Sequence, residues 1–521
     1  MSIQAGQNRS LWHQAKHNPI LVFYAIVLGL VYWNFGYDGA IISGVLAMPV
    51  FVHDFATGRT ASGVPFLSST NTSLITALPV VGSLLGVPLA AFGADRYGRK
   101  KMLLVACAIC LVGSAMQTAA NGIPLLVVGR LVNYISIMTF MTLATAWIPE
   151  IAPQEIRGTL ASLSIFVINL AAIVTSCINY GAEKLTTSAS YRIPIGLQLV
   201  WPLIIGCGLF FLKDAPTFFL IKGQDEKAES SLRRIRRGYS EAEIESELRA
   251  LKAQKALRQE EIEVPFSELF KGVNLRRTLL AMSVPNLQQL SGIAFATNYA
   301  TIFLQQVAPG EDPFVLVIAL NILSFAGAIV GMVLVDRVGR RPLALTTFTI
   351  LLIINTVVGG LGFVDTTAHP GAAKALAGFC LMFGFFYAAG FGGLTYVVVA
   401  EMPTARLKNR TSGLTFLVLS AFNMVVTYVL PYIAQSDGAN LQAKTYLIFA
   451  GWMLFSVLVV FFCLPETRGR SAAELDEMFE AKVPAREFSS YICQNARENF
   501  FEETRADAKL PLSDHVEEAK A

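Results

Sequence analysis

The chain has 521 residues, 54% of them hydrophobic and only 15% charged, with 41 Lys+Arg against 37 Asp+Glu. A soluble chain of this length needs far more charge to cover its surface, so water is not its main solvent. Its basic residues track loop positions instead of forming one face, which argues against a nucleic-acid partner.

Crossing a hydrocarbon core takes roughly 20 apolar residues per helix. Twelve stretches are long enough: 20–46, 72–93, 102–120, 124–148, 158–179, 194–212, 279–305, 314–335, 342–363, 375–399, 411–434 and 444–464. Backbone inside a bilayer has to satisfy its own hydrogen bonds, so these read as helices. The predicted architecture is an all-α membrane protein of 12 transmembrane helices in two six-helix bundles, 20–212 and 279–464. They lie between an N-terminus at 1–19, a central loop at 213–278 and a tail at 465–521.

From Lys213 to Arg277 there are 14 Lys+Arg and 12 Asp+Glu, a third of all the charge in 65 positions, so this segment is a solvated connector. Within it Glu241, Glu243, Glu245, Glu247, Arg249, Lys252 and Lys255 interleave with Ile244, Leu248 and Leu251, which suits cytoplasmic amphipathic helices. In the tail, Leu475, Met478 and Phe479 alternate with charge, predicting one more short helix.

Orientation follows from basic residues in the short loops. Eleven of them (Arg96, Arg99, Lys100, Lys101, Arg157, Arg337, Arg340, Arg341, Arg406, Lys408, Arg410) fall on one side, against five (Arg59, Lys184, Arg192, Lys374, Lys444) on the other. The first side is the cytoplasmic one, and an even number of spans puts both termini there. The first twenty residues lack the apolar core and cleavage site of a signal peptide. Seven cysteines, mostly inside apolar stretches, read as small core residues without disulfides. His13, His17, His53, His369 and His515 form no metal-binding spacing, and no Gly-x4-Gly-Lys-Ser/Thr phosphate loop is present, so neither a metal, another cofactor, catalysis nor ATP-driven pumping is expected.

An internal repeat organises the rest. Asp95-Arg96-Tyr97-Gly98-Arg99-Lys100 follows the second stretch, and Asp336-Arg337-Val338-Gly339-Arg340-Arg341 follows the eighth, 241 residues later. Glycine permits a tight reversal there, and the flanking charges can pair with helix ends. A second pair follows each half's fourth stretch: Pro149-Glu150-Ile151-Ala152-Pro153 with Arg157-Gly158, then Ala400-Glu401-Met402-Pro403 with Arg406. Ion pairs made in one state and broken in another would bias a gate, which makes Asp95, Arg96, Gly98, Arg99, Glu150, Arg157, Asp336, Arg337, Gly339, Arg340, Glu401 and Arg406 the candidate cytoplasmic gate.

These repeats, with Phe35-Gly36-Tyr37-Asp38, Gly129-Arg130, Gln288-Gln289-Leu290-Ser291-Gly292-Ile293 and Pro465-Glu466-Thr467-Arg468-Gly469-Arg470, resemble the sugar porters of the major facilitator superfamily, fungal members most, over nearly the whole chain. The resemblance implies two bundles rocking about a central site, and a monomer in the plasma membrane. It also implies a sugar or sugar-like solute moved by alternating access.

Asp38 lies about 18 residues into the first stretch, roughly 27 Å of helix, where a carboxylate is expected to face a cavity or a partner. Arg130 is the candidate partner, and separating the two would turn a conformational change into proton release or uptake. The resemblance supports this, because proton-coupled members look like this chain at Asp38 and Arg130. Gln288 and Gln289 match the family's paired glutamines, and Tyr396 stands where many members have tryptophan. Asn423, Asn169, Asn298 and Asn321 are further polar residues inside stretches, each able either to bind hydroxyls or to tie helices together.

Departures from the family's pattern are equally specific. Ile165 and Ala294 stand where hexose porters carry amides, the span-eight asparagine position aligns with Ser324, and Gly390-Phe391-Gly392-Gly393 lacks the usual prolines. Fewer amides favour a larger, different or less polar ligand. Two other readings therefore stand beside sugar import: export of a fungal secondary metabolite or organic acid, and a nutrient sensor, though such receptors usually carry a long tail and only 56 residues follow Pro465.

Overall fold

The computed structural model describes residues 18–59, 63, 65–152, 157–236, 239–263, 265–307, 310–366 and 368–493. Eleven helices among them are long and apolar enough to cross a membrane, from Pro19–Val45 to Gln442–Cys463. They match eleven of the twelve predicted stretches. Local chemistry sets their starts: Asn18 accepts from the Leu21 N–H at 3.2 Å and Pro19 opens the first span, the pairing of cap and proline that favours a helix N-terminus.

The seventh passage, predicted over 279–305, is not one continuous helix. It is broken into Gly272–Gln289, Ile293–Thr297 and Ala300–Val307, with Gly292 left-handed at the first break. Backbone freed at a break inside a bilayer needs other partners. Ser291 Oγ donates to the Gln288 carbonyl at 2.7 Å, and Asn355 of the ninth span (Arg340–Leu361) donates to the Ser291 carbonyl at 3.0 Å. The paired glutamines sit at the end of the first piece, next to the break.

The tenth span is irregular too, running Pro370–Tyr387, a π-helical turn Ala388–Gly392, and Gly393–Glu401. Turns of this kind recur at functional sites. Small residues let the eighth span (Pro313–Arg337) lie against it: a Cβ on Gly327 would come within 2.2 Å of the Phe385 carbonyl, and one on Gly331 within 2.4 Å of the Ala389 carbonyl. A two-residue antiparallel ladder, Gly58–Arg59 with Pro65–Phe66, is the one strand pair among the described residues and departs from a purely helical chain.

Most buried side chains from 280 onward form one core and those of the first half form two, one of which also takes in Phe314 of the eighth span. The connector contains Pro216–Ile221, Asp225–Ile235 and Glu241–Glu263. Arg236, fully buried, fastens it to the first half by donating to both Glu247 carboxylate oxygens (2.8 and 2.7 Å) and to the Ile151 carbonyl (2.6 Å). The predicted tail helix is Ala472–Glu480, begun by a Ser471/Glu474 capping box, with Leu475, Met478 and Phe479 buried in the second-half core. Arg277, at the foot of the seventh passage, pairs with Asp476 and lies 4.7 Å from the Phe479 ring centre. Cys107, Cys110, Cys380 and Cys493 are buried as expected, whereas Cys177, Cys207 and Cys463 are exposed, on faces a bilayer would cover.

Candidate functional site

Asp38 is buried in the first span at 3% exposure. Its Oδ1 accepts from Asn133 Nδ2 and from Gln198 Nε2, both at 2.9 Å. Each donor is itself held: Cys110 Sγ donates to Asn133 Oδ1 at 3.2 Å, and Gln117 Nε2 to Gln198 Oε1 at 3.4 Å. Both hydrogen bonds described for this carboxyl go to Oδ1, and none among the described residues goes to Oδ2. Arg130 is buried in the same half, but its Nε donates to the Ile75 carbonyl at 2.9 Å, and no ion pair joins it to Asp38. The carboxyl is thus hydrogen-bonded by neutral amides, with the Arg130 charge close by but not in contact. Sequence reasoning missed Asn133 and Gln198, although Asn133 lies one helical turn beyond Arg130 on the fourth span, Ile123–Ile151, and so shares its face.

The candidate solute residues fall into separate groups. Gln288 Nε2 donates to the Tyr387 hydroxyl, and Thr395 Oγ1 donates to Gln288 Oε1 at 3.1 Å, so both ends of this amide are engaged across to the tenth span. Gln289, half-buried beside it, has no hydrogen-bond partner among the described residues. Asn298 and Asn423 meet through Thr427 Oγ1, at 3.4 and 3.0 Å. Tyr396 is 52% exposed and leans on Phe416 with ring centres 6.5 Å apart. Asn169 turns back onto its own helix, donating to the Ile165 carbonyl at 2.8 Å, and Asn321 reaches across the two halves to Ser176 Oγ at 2.8 Å. Tyr387, Thr395 and Thr427 are the residues sequence reasoning passed over.

This division carries an expected result. Gln289→Ala, which removes an uncommitted amide, should raise the KM of solute counterflow by about 5- to 100-fold, the range for leaving one solute hydroxyl unsatisfied at roughly 1–3 kcal/mol. Asn169→Ala should change it less than about twofold, because that amide is spent on backbone.

The repeated loops form a matched pair of charge clusters. Gly98 (φ +91°, ψ 163°) and Gly339 (φ +108°, ψ 166°) precede the third and ninth spans in a backbone region essentially closed to other residues. Beyond each glycine a carboxylate from the end of that half caps the new helix. Asp214 accepts from the Lys100 N–H at 2.8 Å, while Glu466 accepts from the Arg340 and Arg341 N–H groups at 3.1 and 3.0 Å. Burial pushes the Asp214 carboxyl above its usual range, against the Lys100 N–H and the Arg99 charge, which draw it down.

The arginines of the loops answer the glutamates of the second repeat. Arg99, buried, pairs with Glu150, and Arg340 donates to both Glu401 oxygens at 3.2 and 2.7 Å while lying 3.5 Å from Asp336. Arg406, expected within reach of Glu401, is exposed, and Glu401 is taken by Arg340 and by Thr467 at 2.6 Å. Arg96 lies 5.4 Å from the Tyr97 ring centre, Arg337 is exposed, and the side chains of Asp95 and Arg157 lie outside the described residues. The ion pairs described on this basic-loop face each stay within one half.

On the opposite face the halves are joined. Ser73 Oγ donates to the Tyr428 carbonyl (2.7 Å), Tyr432 to Thr70 Oγ1 (3.1 Å), Ser43 and Thr301 hydroxyls meet at 3.2 Å, and those of Thr76 and Tyr299 at 2.5 Å. Contacts between halves are thus made on this face, while the charges described on the other bind within halves.

The fold is that of solved transporters: an inward-open xylose transporter from E. coli superposes with a TM-score of 0.71 at 19% identity, covering 88% of this chain and 99% of that one. The class is a multi-pass membrane transporter of the major facilitator fold, not an enzyme. The family described as "Sugar (and other) transporter" matches residues 21–479, and the chain belongs to it. Similar curated proteins include a major facilitator-type transporter of Aspergillus rugulosus, 29% identical over 87% of this chain and 86% of that protein. A probable glucose transporter of Neurospora crassa is 31% identical over 85% and 77%. A high glucose sensor of Saccharomyces cerevisiae is 28% identical over 91% of this chain but 62% of its own length.

Proposed function

We propose that the protein is a secondary active transporter that carries a sugar-like solute by alternating access and couples it to proton symport. The observation that carries the coupling is the carboxyl of Asp38: buried, held on one oxygen by two amides, and near Arg130 without an ion pair to it among the described residues. A carboxylate so far from water is costly to keep charged, and its uncommitted oxygen is where a proton would sit. Gln288 and Gln289 beside the broken seventh passage would recognise hydroxyls, and the face carrying the basic loops would be cytoplasmic in a plasma-membrane protein, with both termini on that side.

A second reading follows from the depleted amides. Ile165 and the buried Ala294 offer no hydrogen bond, and Asn169 is tied to its own helix, which favours a bulkier or less polar solute, including an exported metabolite or organic acid. Counterflow in proteoliposomes separates these. Labelled monosaccharides, disaccharides, polyols and cyclic acids would be tested with and without a pH gradient. The proposal expects saturable exchange of a polyhydroxylated solute, with net uphill uptake only when the outside is acidic; exchange of none of them would end it.

A further inference from the structure

On the face where the halves are joined, the joints described above are hydroxyls and a backbone carbonyl. One more joint there is charged. Asp437, in the turn after the eleventh span, Lys408–Ala434, accepts from the Ser69 N–H at 2.7 Å through Oδ2 and from the Ser69 hydroxyl through Oδ1. Ser69 is the first residue of helix Ser69–Ala77, which begins the second span. The carboxylate of one half therefore sits at the N-terminus of a helix of the other, where unsatisfied N–H groups and the helix dipole favour an anion.

The turn that presents this carboxylate is tightly built. Gly438 N–H and Asn440 N–H both donate to the Gln435 carbonyl at 3.1 Å, and Ala439 N–H donates to the Tyr432 carbonyl at 2.8 Å. A Cβ on Gly438 would come within 2.1 Å of the Tyr432 carbonyl oxygen, so the chain reverses there only with glycine. Around it Ser69 Oγ also lies 3.1 Å from Gln435 Oε1 and 3.2 Å from the Pro431 carbonyl, so a single residue of the second span is engaged by three of the other half. Ser68, one residue earlier, caps Asn71 at 3.4 Å. Helix Ser69–Ala77 is thus capped twice, once from its own half and once from the other.

We propose that Asp437 is a gate residue, a positioning group that holds the outer face shut by capping the second span across the halves. The proposal rests on the alternating-access reading, since a bond between halves on one face must break when that face opens. A contact present in one state and absent in the other shifts the equilibrium by its own free energy and leaves the chemistry of the solute site untouched. Loss of a charged cap corresponds to about a three- to tenfold shift toward the outward-open state.

The test is hydrogen–deuterium exchange on the full-length protein in nanodiscs without solute, comparing wild type with Asp437→Ala. Peptides over 69–77 and 427–434 should exchange faster, while those over 98–104 and 340–346, on the basic-loop face, should become more protected as that face closes. A merely structural cap would loosen 69–77 and leave the basic-loop face unchanged; that outcome, or no change anywhere, overturns the proposal. Asp437→Asn, which keeps an oxygen for the Ser69 N–H but loses the charge, should give a smaller shift of the same sign and supplies the answer should the alanine variant not fold. Counterflow by the same preparations separates the two ideas: exchange without the reciprocal shift removes the latch and leaves the carrier, whereas the reciprocal shift with no solute exchange does the reverse.

Discussion

Asp38→Asn should abolish uphill solute accumulation and leave counterflow intact. Both amide donors, Asn133 and Gln198, converge on the same oxygen, Oδ1. An asparagine that keeps its oxygen in that place retains both hydrogen bonds, its Nδ2 simply replacing the oxygen that accepts none. The substitution therefore removes the ability to bind a proton without removing the packing. At an inside-negative potential of about 100 mV one entering proton supplies about 2.3 kcal/mol, enough for roughly fifty-fold accumulation, so the expected change is from that ratio to about one. The measurement is the steady-state solute ratio in proteoliposomes under an imposed potential and pH gradient, beside exchange at equal pH. Full uphill uptake by the variant would dispose of the coupling role while leaving the family and fold where they are.

What the sequence revealed and what it hid follow from the range of each interaction. Membrane passages are legible because hydropathy is a local property averaged over some 20 residues. The duplicated loops are legible because two copies of one short pattern are improbable by chance. The seventh passage was misread as one helix for the same reason: its composition stays mostly apolar through residues 290–300, and the break depends on Gly292 and on Asn355, which bonds Ser291 from 64 residues away.

The site was legible by residue type and illegible by partner. Asp38 and Arg130 were found by charge in an apolar setting, and the fold adds direct partners that charge does not reveal, a carbonyl for Arg130 and two amides for Asp38. Asn133, Gln198 and Tyr387 carry no charge and sit in stretches where a lone polar residue is more often a helix tie, so nothing local marks them. Asp214 and Glu466 show the converse. Each follows the last span of its half, 252 residues apart, and closes the loop motif of that half; only Glu466 lies in a run that the family resemblance singled out.

That closure leads to the second large effect. Gly339→Ala should destabilise the protein by about 2–4 kcal/mol, of which about 1–3 is the backbone conformation itself and about 1 the displaced cap. At φ +108° and ψ 166° a side chain is strained wherever it points, and here a Cβ would also come within 2.6 Å of the Glu466 carboxylate. Pushing Glu466 away uncovers the Arg340 and Arg341 N–H groups at the start of the ninth span and loosens the residue that follows it, Thr467, which bonds Glu401. The expected reading is an apparent melting temperature lower by roughly 2–4 °C, followed by intrinsic fluorescence of detergent-purified protein. Gly98→Ala, whose Cβ would approach the Asp214 carboxylate to 2.7 Å in the same backbone region, should fall by a similar amount. Glu466→Gln, which keeps an oxygen for one of the two N–H groups and sets its NH2 against the other, should lose one hydrogen bond together with the charged part of the cap, about 1–3 kcal/mol. If both glycine variants melt with the wild type, the two loops are not the closed, capped reversals described here, and the matched construction of the halves on the basic-loop face loses its physical basis.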